Sequence, residues 1–199
     1  MKRFLAILVS LLLISNISYS VSYNSDPKIF IKELIGDAIK TLENKSISNE
    51  EKNKIIKKIA VENIDIKALG MYTLGDIRKS LEPDVLNQYS LLFEEFFLKS
   101  LISRLTDYNS SEFDVVGSEQ KSSNTTIVYS RIAESASMPE IKIDWRVYTK
   151  DPLKPLIRDL VVEGLSMARA QKEEFSSILN SNNRDIQVLL RKLETFIAG

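Results

Sequence analysis

Leu156-Ile157-Arg158-Asp159-Leu160-Val161-Val162-Glu163-Gly164-Leu165-Ser166-Met167-Ala168-Arg169-Ala170-Gln171-Lys172-Glu173-Glu174-Phe175 changes period part-way along. Its first part is a strand: Leu156, Ile157, Leu160, Val161 and Val162 are apolar and partly β-branched. From Ser166 onward there is no β-branched residue, and Met167, Ala168, Ala170, Gln171 and Lys172 favour helix. Gly164 stands at the change, where the backbone needs freedom that a side chain would remove. Ser166 is placed to cap the new helix. The stretch is therefore a strand-to-helix corner with two carboxylates, Asp159 and Glu163, among apolar neighbours.

Upstream of the corner the chain is strand-rich. Ile141, Ile143, Trp145 and Val147 alternate with Lys142, Asp144, Arg146 and Tyr148, the pattern of a strand with one buried and one wet face. Thr125 to Ala133 alternates Thr125, Ile127 and Tyr129 against Thr126, Val128 and Ser130, and Phe113 to Gly117 reads as a further strand. Polar connections are expected at Ser118–Asn124 and Glu134–Ser137. Before the strands come helices. Asp26-Pro27 is a cap and first turn, followed by Ile31, Leu34, Ile35, Ala38, Ile39 and Leu42 on one face. Ser48 to Glu51 is a capping box, and Ile55, Ile56, Ile59 and Ala60 form the buried side behind it. The lysines 52, 54, 57 and 58 read as a solvated face. A short helical piece is expected from Ile66 to Leu69. The longest helix runs roughly from Pro83 to Asp107. Leu86, Tyr89, Phe93, Phe97 and Leu101 lie near one face, and Leu92, Phe96, Ile102 and Leu105 widen it beyond the usual ~100° stripe. Such a helix is either buried from two sides or faces something apolar that is not protein. After the corner, Asp185 caps a last helix with Ile186, Leu189, Leu190 and Leu193. Helices, then about four strands, then helices give an α+β domain: a twisted antiparallel sheet packed with N- and C-terminal helices.

The 199 residues suffice for one domain, expected from residue 21 to 199. Residues 1–20 read as a cleaved secretory signal, with Lys2 and Arg3 before the apolar run Phe4–Ile14 and small residues Ser18 and Ser20 before the cut; Ser22 serves nearly as well. The run is too short for a bilayer span of about 20 residues. Loss of Lys2 and Arg3 leaves 25 basic and 27 acidic residues, a net charge of −2, which argues against nucleic acid as a partner. The sequence has no cysteine and no histidine. Disulfides, Ser-His-Asp and Cys-His catalysis are impossible, and a zinc site has few ligands left. Ser118-Glu119-Gln120-Lys121 matches Ser-x-x-Lys, but lies in a polar turn without the partner motifs a Ser-Lys hydrolase requires. No catalytic residue and no metal ligand is expected.

Two windows together resemble the MlaC family of periplasmic phospholipid-binding proteins, also called the toluene-tolerance family. The first is Asp65, Leu74-Gly75, Pro83, Tyr89, Phe93 and Phe97. The second is Asp159, Val162-Glu163-Gly164-Leu165-Ser166, Gln171 and Phe175, then Asp185, Leu189 and Leu193. The resemblance departs at Arg78, Glu82, Pro155 and Lys172. It implies a fold of the nuclear-transport-factor-2-like type around an apolar lipid cavity, with phospholipid bound and no other cofactor. It further implies a monomeric periplasmic shuttle. The implied partners are an inner-membrane ABC transporter complex with an MCE-domain subunit and an outer-membrane lipoprotein–porin complex. The expected acyl-chain contacts are Leu74, Leu86, Tyr89, Phe93, Phe96, Phe97 and Leu101 from the helices, and Ile127, Ile143, Trp145, Val147 and Val162 from the sheet. A protein-binding adaptor with a fully packed core is the alternative reading.

Overall fold

A computed structural model describes residues 22–105, 112–134 and 139–199; the expected signal and most of the Glu134–Ser137 connection lie outside them. Helices α1 (Pro27–Glu43), α2 (Asn49–Asn63), α3 (Ile66–Leu74) and α4 (Pro83–Leu105) come first, with a 3-10 turn at Gly75–Lys79. Strands β1 (Phe113–Ser122), β2 (Thr125–Ile132), β3 (Ile141–Tyr148), β4 (Leu156–Val162) and β5 (Leu165–Ser166) follow, then α5 (Met167–Asn180) and α6 (Ile186–Ala198). The expected α+β order holds. The sheet is antiparallel in the order β1-β2-β3-β4-β5.

Two boundaries differ from the sequence reading. β1 continues to Ser122, because backbone pairing with β2 carries it through a polar stretch and leaves only residues 123–124 as the turn. α3 continues through Gly70 to Leu74, its close packing against Phe93 overriding the poor helix propensity of glycine.

The fifth strand lies inside the corner. Val162 pairs with Leu165 and Val161 with Ser166, so Glu163-Gly164 is a two-residue hairpin turn. Both turn residues have positive φ, 49° and 82°, as a turn matching the strand twist requires. Glu163 accepts a hydrogen bond from the Lys142 backbone N–H at 2.5 Å, and its own N–H donates to the Lys142 carbonyl at 3.0 Å. The carboxylate thereby fixes a turn conformation that its backbone alone disfavours.

Asp159 ties this hairpin to α5. It is 6% exposed. Its Oδ1 accepts from the Ala168 N–H at 3.0 Å and its Oδ2 from the Ser166 hydroxyl at 2.7 Å. Ser166 Oγ in turn accepts from the Arg169 N–H at 3.1 Å. Two free N–H groups of the first turn of α5 are thus satisfied from the sheet side. Arg146 approaches Asp159 Oδ2 at 3.4 Å from the neighbouring strand.

A second link joins the sheet to α3. Asp65 caps α3 by accepting from the Ala68 N–H at 3.2 Å, while its Oδ2 accepts from Arg158 Nε at 2.8 Å and pairs with Arg158 Nη2 at 2.7 Å. Arg158 is the extra residue of a β-bulge opposite Arg146–Val147, which turns it towards α3. Its guanidinium carbon lies 3.3 Å from the Tyr148 ring centroid.

Removing Asp159 leaves a buried N–H and a hydroxyl unpartnered. Asp159→Ala should lower the unfolding free energy by about 3 kcal/mol and Ser166→Ala by about 1 kcal/mol. Urea unfolding at neutral pH checks the order, and a smaller loss for Asp159→Ala would contradict this account of the corner.

Candidate functional site

The apolar residues form two sets. One is helical: Leu69, Leu74, Tyr89, Phe93, Phe175, Leu179, Leu189, Leu190 and Leu193 are buried, with Leu86, Leu92, Phe96, Phe97 and Leu101 packed partly buried against them. The other lies between α1 and the sheet: Phe30, Ile31, Leu34, Val128, Trp145, Val147 and Ile157, with Phe113, Val115, Ile143 and Leu160 partly buried beside them. Ile64, between α2 and α3, packs against both.

The expected acyl contacts divide between these sets. Leu74, Tyr89 and Phe93 are buried, and Leu86, Phe96, Phe97 and Leu101 are partly so, all in the helical set. Trp145 and Val147 are buried and Ile143 half-buried on the sheet side. Val162 lies opposite Ile143 and shares its face. Ile127 does not. Val128, not Ile127, pairs with Trp145, while Ile127 opposes Arg146 on the other face. The alternation in β2 has two apolar-looking phases, and its register with β3 selects Thr126, Val128 and Ser130 as the inner one. The expected helix and sheet contacts therefore fall in two separately packed sets, and Ile127 belongs to neither.

The most buried members are fixed by specific contacts. Tyr89 is fully buried; its hydroxyl lies 2.7 Å from Thr73 Oγ1 and donates to the Gly70 carbonyl at 3.2 Å. Burial pushes its ionisation well above the ordinary tyrosine range, against a smaller lowering by the Thr73 bond. Phe93 stacks on Tyr89 and on Phe97, and meets Phe175 edge-on. A Cβ on Gly70 would stand 2.8 Å from Phe93 Cδ1, so α3 approaches α4 closely only because this residue lacks one. Trp145 donates through Nε1 to Ser130 Oγ at 2.8 Å, and Ser130 donates to the Ile143 carbonyl at 2.9 Å. Substitutions at Phe93 or Trp145 therefore test packing before binding.

The less buried members share one end of the sheet. Phe113, Val115, Ile132, Ile141, Ile143, Leu160 and Val162 are all partly buried, and strand pairing sets Phe113 by Ile132, Ile132 by Ile141, and Ile143 by Val162. The second half of α1 behaves alike. Its first half buries Phe30, Ile31 and Leu34, whereas Ala38, Ile39 and Leu42 stay only partly buried. Among the described residues this apolar surface is not fully covered.

At the Ser-x-x-Lys match, the Lys121 ammonium lies 2.6 Å from Glu119 Oε2. The hydrogen bond to Glu119 raises the lysine pKa. A lysine acting as a base needs the opposite shift, so the motif is a surface ion pair. Among the described residues no group of three or more potential ligands is placed to hold a metal ion, and no helix is long and apolar enough to cross a membrane.

The model of the MlaC protein family matches residues 32–195. The chain belongs to the MlaC family. Its Asp65 and Asp159 windows, separate in sequence, are joined here by the Asp65–Arg158 pair. Arg158 was not singled out in the sequence, where only its place beside Asp159 marked it. The fold is similar to that of a phospholipid-binding protein from Ralstonia solanacearum, solved in complex with a phospholipid. The TM-score is 0.71 at 16% identity, over 84% of this chain and 94% of that one. Among curated proteins none matches significantly.

Two glycines give opposite expectations. Gly36 lies in α1 with nothing within 4 Å of a built Cβ, so Gly36→Ala should stabilise by about 0.5–1 kcal/mol. Gly70→Ala must displace Phe93 and should cost about 1–3 kcal/mol. Chemical unfolding measures both. Tyr23 gives a pH expectation. Burial, then the charge of Asp37, raises its phenol from 10.0 to about 12. The fold favours its neutral form, so this contribution is complete below pH ~10 and is lost as pH rises towards about 12. Tyr23→Phe should therefore flatten the fall in stability between those values, as followed by unfolding at stepped pH.

Proposed function

We propose that this protein is a periplasmic phospholipid carrier, secreted with removal of residues 1–20, that shuttles lipid between outer- and inner-membrane complexes of a Mla-type system. The observation that carries the reading is the incompletely covered apolar surface at the sheet end and on α1 and α4, in a chain of the MlaC family. A buried methylene is worth about 0.8 kcal/mol, so a chain of ~15 carbons represents roughly 12 kcal/mol that a carrier must match. In this reading the acyl chains lie between the two apolar sets, which meet at Ile64. Phe97, Leu101 and Leu86 line the helical side, and Ile143, Leu160 and Val162 the sheet side. Lipid enters as the sets part, and the buried Tyr89–Phe93 and Trp145–Ser130 contacts hold each layer together meanwhile. Apolar chains need no reacting group, and the partners supply the opening. The inner-membrane partner is an ABC transporter complex with an MCE-domain subunit, and the outer-membrane partner a lipoprotein–porin complex. A protein-binding adaptor is the second reading, favoured by the close packing of Phe93, Trp145 and Val147.

Delipidated protein incubated with phospholipid vesicles and re-isolated should carry lipid, detected by mass spectrometry of solvent extracts. Phe97→Asp and Val162→Asp, on half-buried positions, should each cut the uptake several-fold while leaving the thermal transition cooperative. Full uptake by both folded variants would place the chains elsewhere, and no uptake by the unaltered protein would favour the adaptor.

A further inference from the structure

The outer side of the α3–α5 contact carries a cleft that neither apolar set uses. Its volume is about 590 Å³, and its lining includes Tyr72, Arg169, Lys172, Glu173, Ser176 and Asn180. On α5 these residues recur every three or four positions and so form one stripe, away from Ala168, Phe175 and Leu179, which are buried. Lys172 is held in position. Its Cε lies 3.4 Å from where a Cβ on Gly75 would stand, and its ammonium is 5.1 Å from the Tyr72 ring centroid. Gly75 closes α3 with a φ of 62°, so the lysine stem fills space that another residue would occupy, beside the carbonyl end of α3. Among the described residues neither Lys172 nor Arg169 has an ion-pair partner within 4 Å; Asp76, on the turn after α3, pairs with Lys79 at 3.1 Å and feels the Lys172 charge as well.

We propose that this cleft seats a zwitterionic phosphodiester, the phosphoethanolamine headgroup of a lipid presented at a bilayer surface. The proposal rests on the carrier reading and adds a docking site to it. Two cations with hydroxyl and amide neighbours suit a phosphodiester, whose oxygens accept from Arg169, Lys172 and Ser176. The single carboxylate, Glu173, suits a primary ammonium, which donates to it. A free phosphate dianion brings no cation to Glu173, and its negative charge opposes the carboxylate instead. The half-exposed Tyr72 ring closes one side. A carrier that first engages a headgroup here is held at the membrane while its apolar sets part.

The probe is sn-glycero-3-phosphoethanolamine, which has no acyl chain, titrated into the purified protein and followed by amide chemical shifts. It should move the amides of residues 169–176 saturably, and the double variant R169Q/K172Q should bind at least ten-fold more weakly with an unchanged melting transition. E173Q should weaken the ethanolamine probe more than sn-glycero-3-phosphoglycerol. Absence of saturable shifts, equal binding by the double variant, or inorganic phosphate binding as tightly as the phosphodiester would overturn the proposal. Failure of lipid carriage shows separately, as a lack of extractable lipid in the same preparations, so failure of the docking site and failure of the carrier reading are told apart.

Discussion

The Asp159 carboxylate is the interaction on which the architecture depends. It sits on β4, is nearly fully buried, and accepts from the first turn of α5 and from the cap of that turn. α5 carries Phe175 and Leu179 into the helical set. Without the carboxylate, the orientation of α5 relative to the sheet would rest on the two-residue β5 pairing and on apolar contacts, which are not directional. The Glu163-Gly164 turn shares the task, since it reverses the chain within two residues and delivers Ser166 to the carboxylate. Asp65 repeats the arrangement on α3, capping a helix with one oxygen and holding Arg158 of the sheet with the other. Two carboxylates thus fasten two helices to one strand through polar contacts.

Polar fastening at the strand leaves the apolar surfaces free to differ from an ordinary core. Tyr89, Phe93 and Trp145 are pinned by hydrogen bonds or ring contacts. Phe97, Leu101, Ile143, Leu160 and Val162 are not fully covered. In a carrier this division has a reason. The pinned residues keep each layer intact, and the uncovered ones supply surface for the cargo. A core in which every apolar residue was locked would gain stability and lose the room for a chain.

Much of this was legible in the sequence. The switch of period at Gly164, the cap at Ser166, the alternation from Ile141 to Val147 and the order of elements led to the α+β fold. Side-chain facing in β2 was not legible. Thr125, Ile127 and Tyr129 form as good an apolar row as Thr126, Val128 and Ser130 until pairing with Trp145 decides between them. Nor was the division of the apolar residues into two sets, because α4 is apolar over so much of its surface that periodicity marks no single face. The two-residue β5 was hidden by its length, and the Tyr72–Lys172 cleft by the distance between its two helices in the chain.

A carrier of phospholipid should leave the cell with its cargo. Native mass spectrometry of the protein purified from a bacterial cell envelope, under conditions that preserve noncovalent complexes, tests it most directly. The expected result is a folded species heavier than the bare chain by the mass of bound phospholipid, released on collisional activation. A folded species at the mass of the bare chain alone would contradict it.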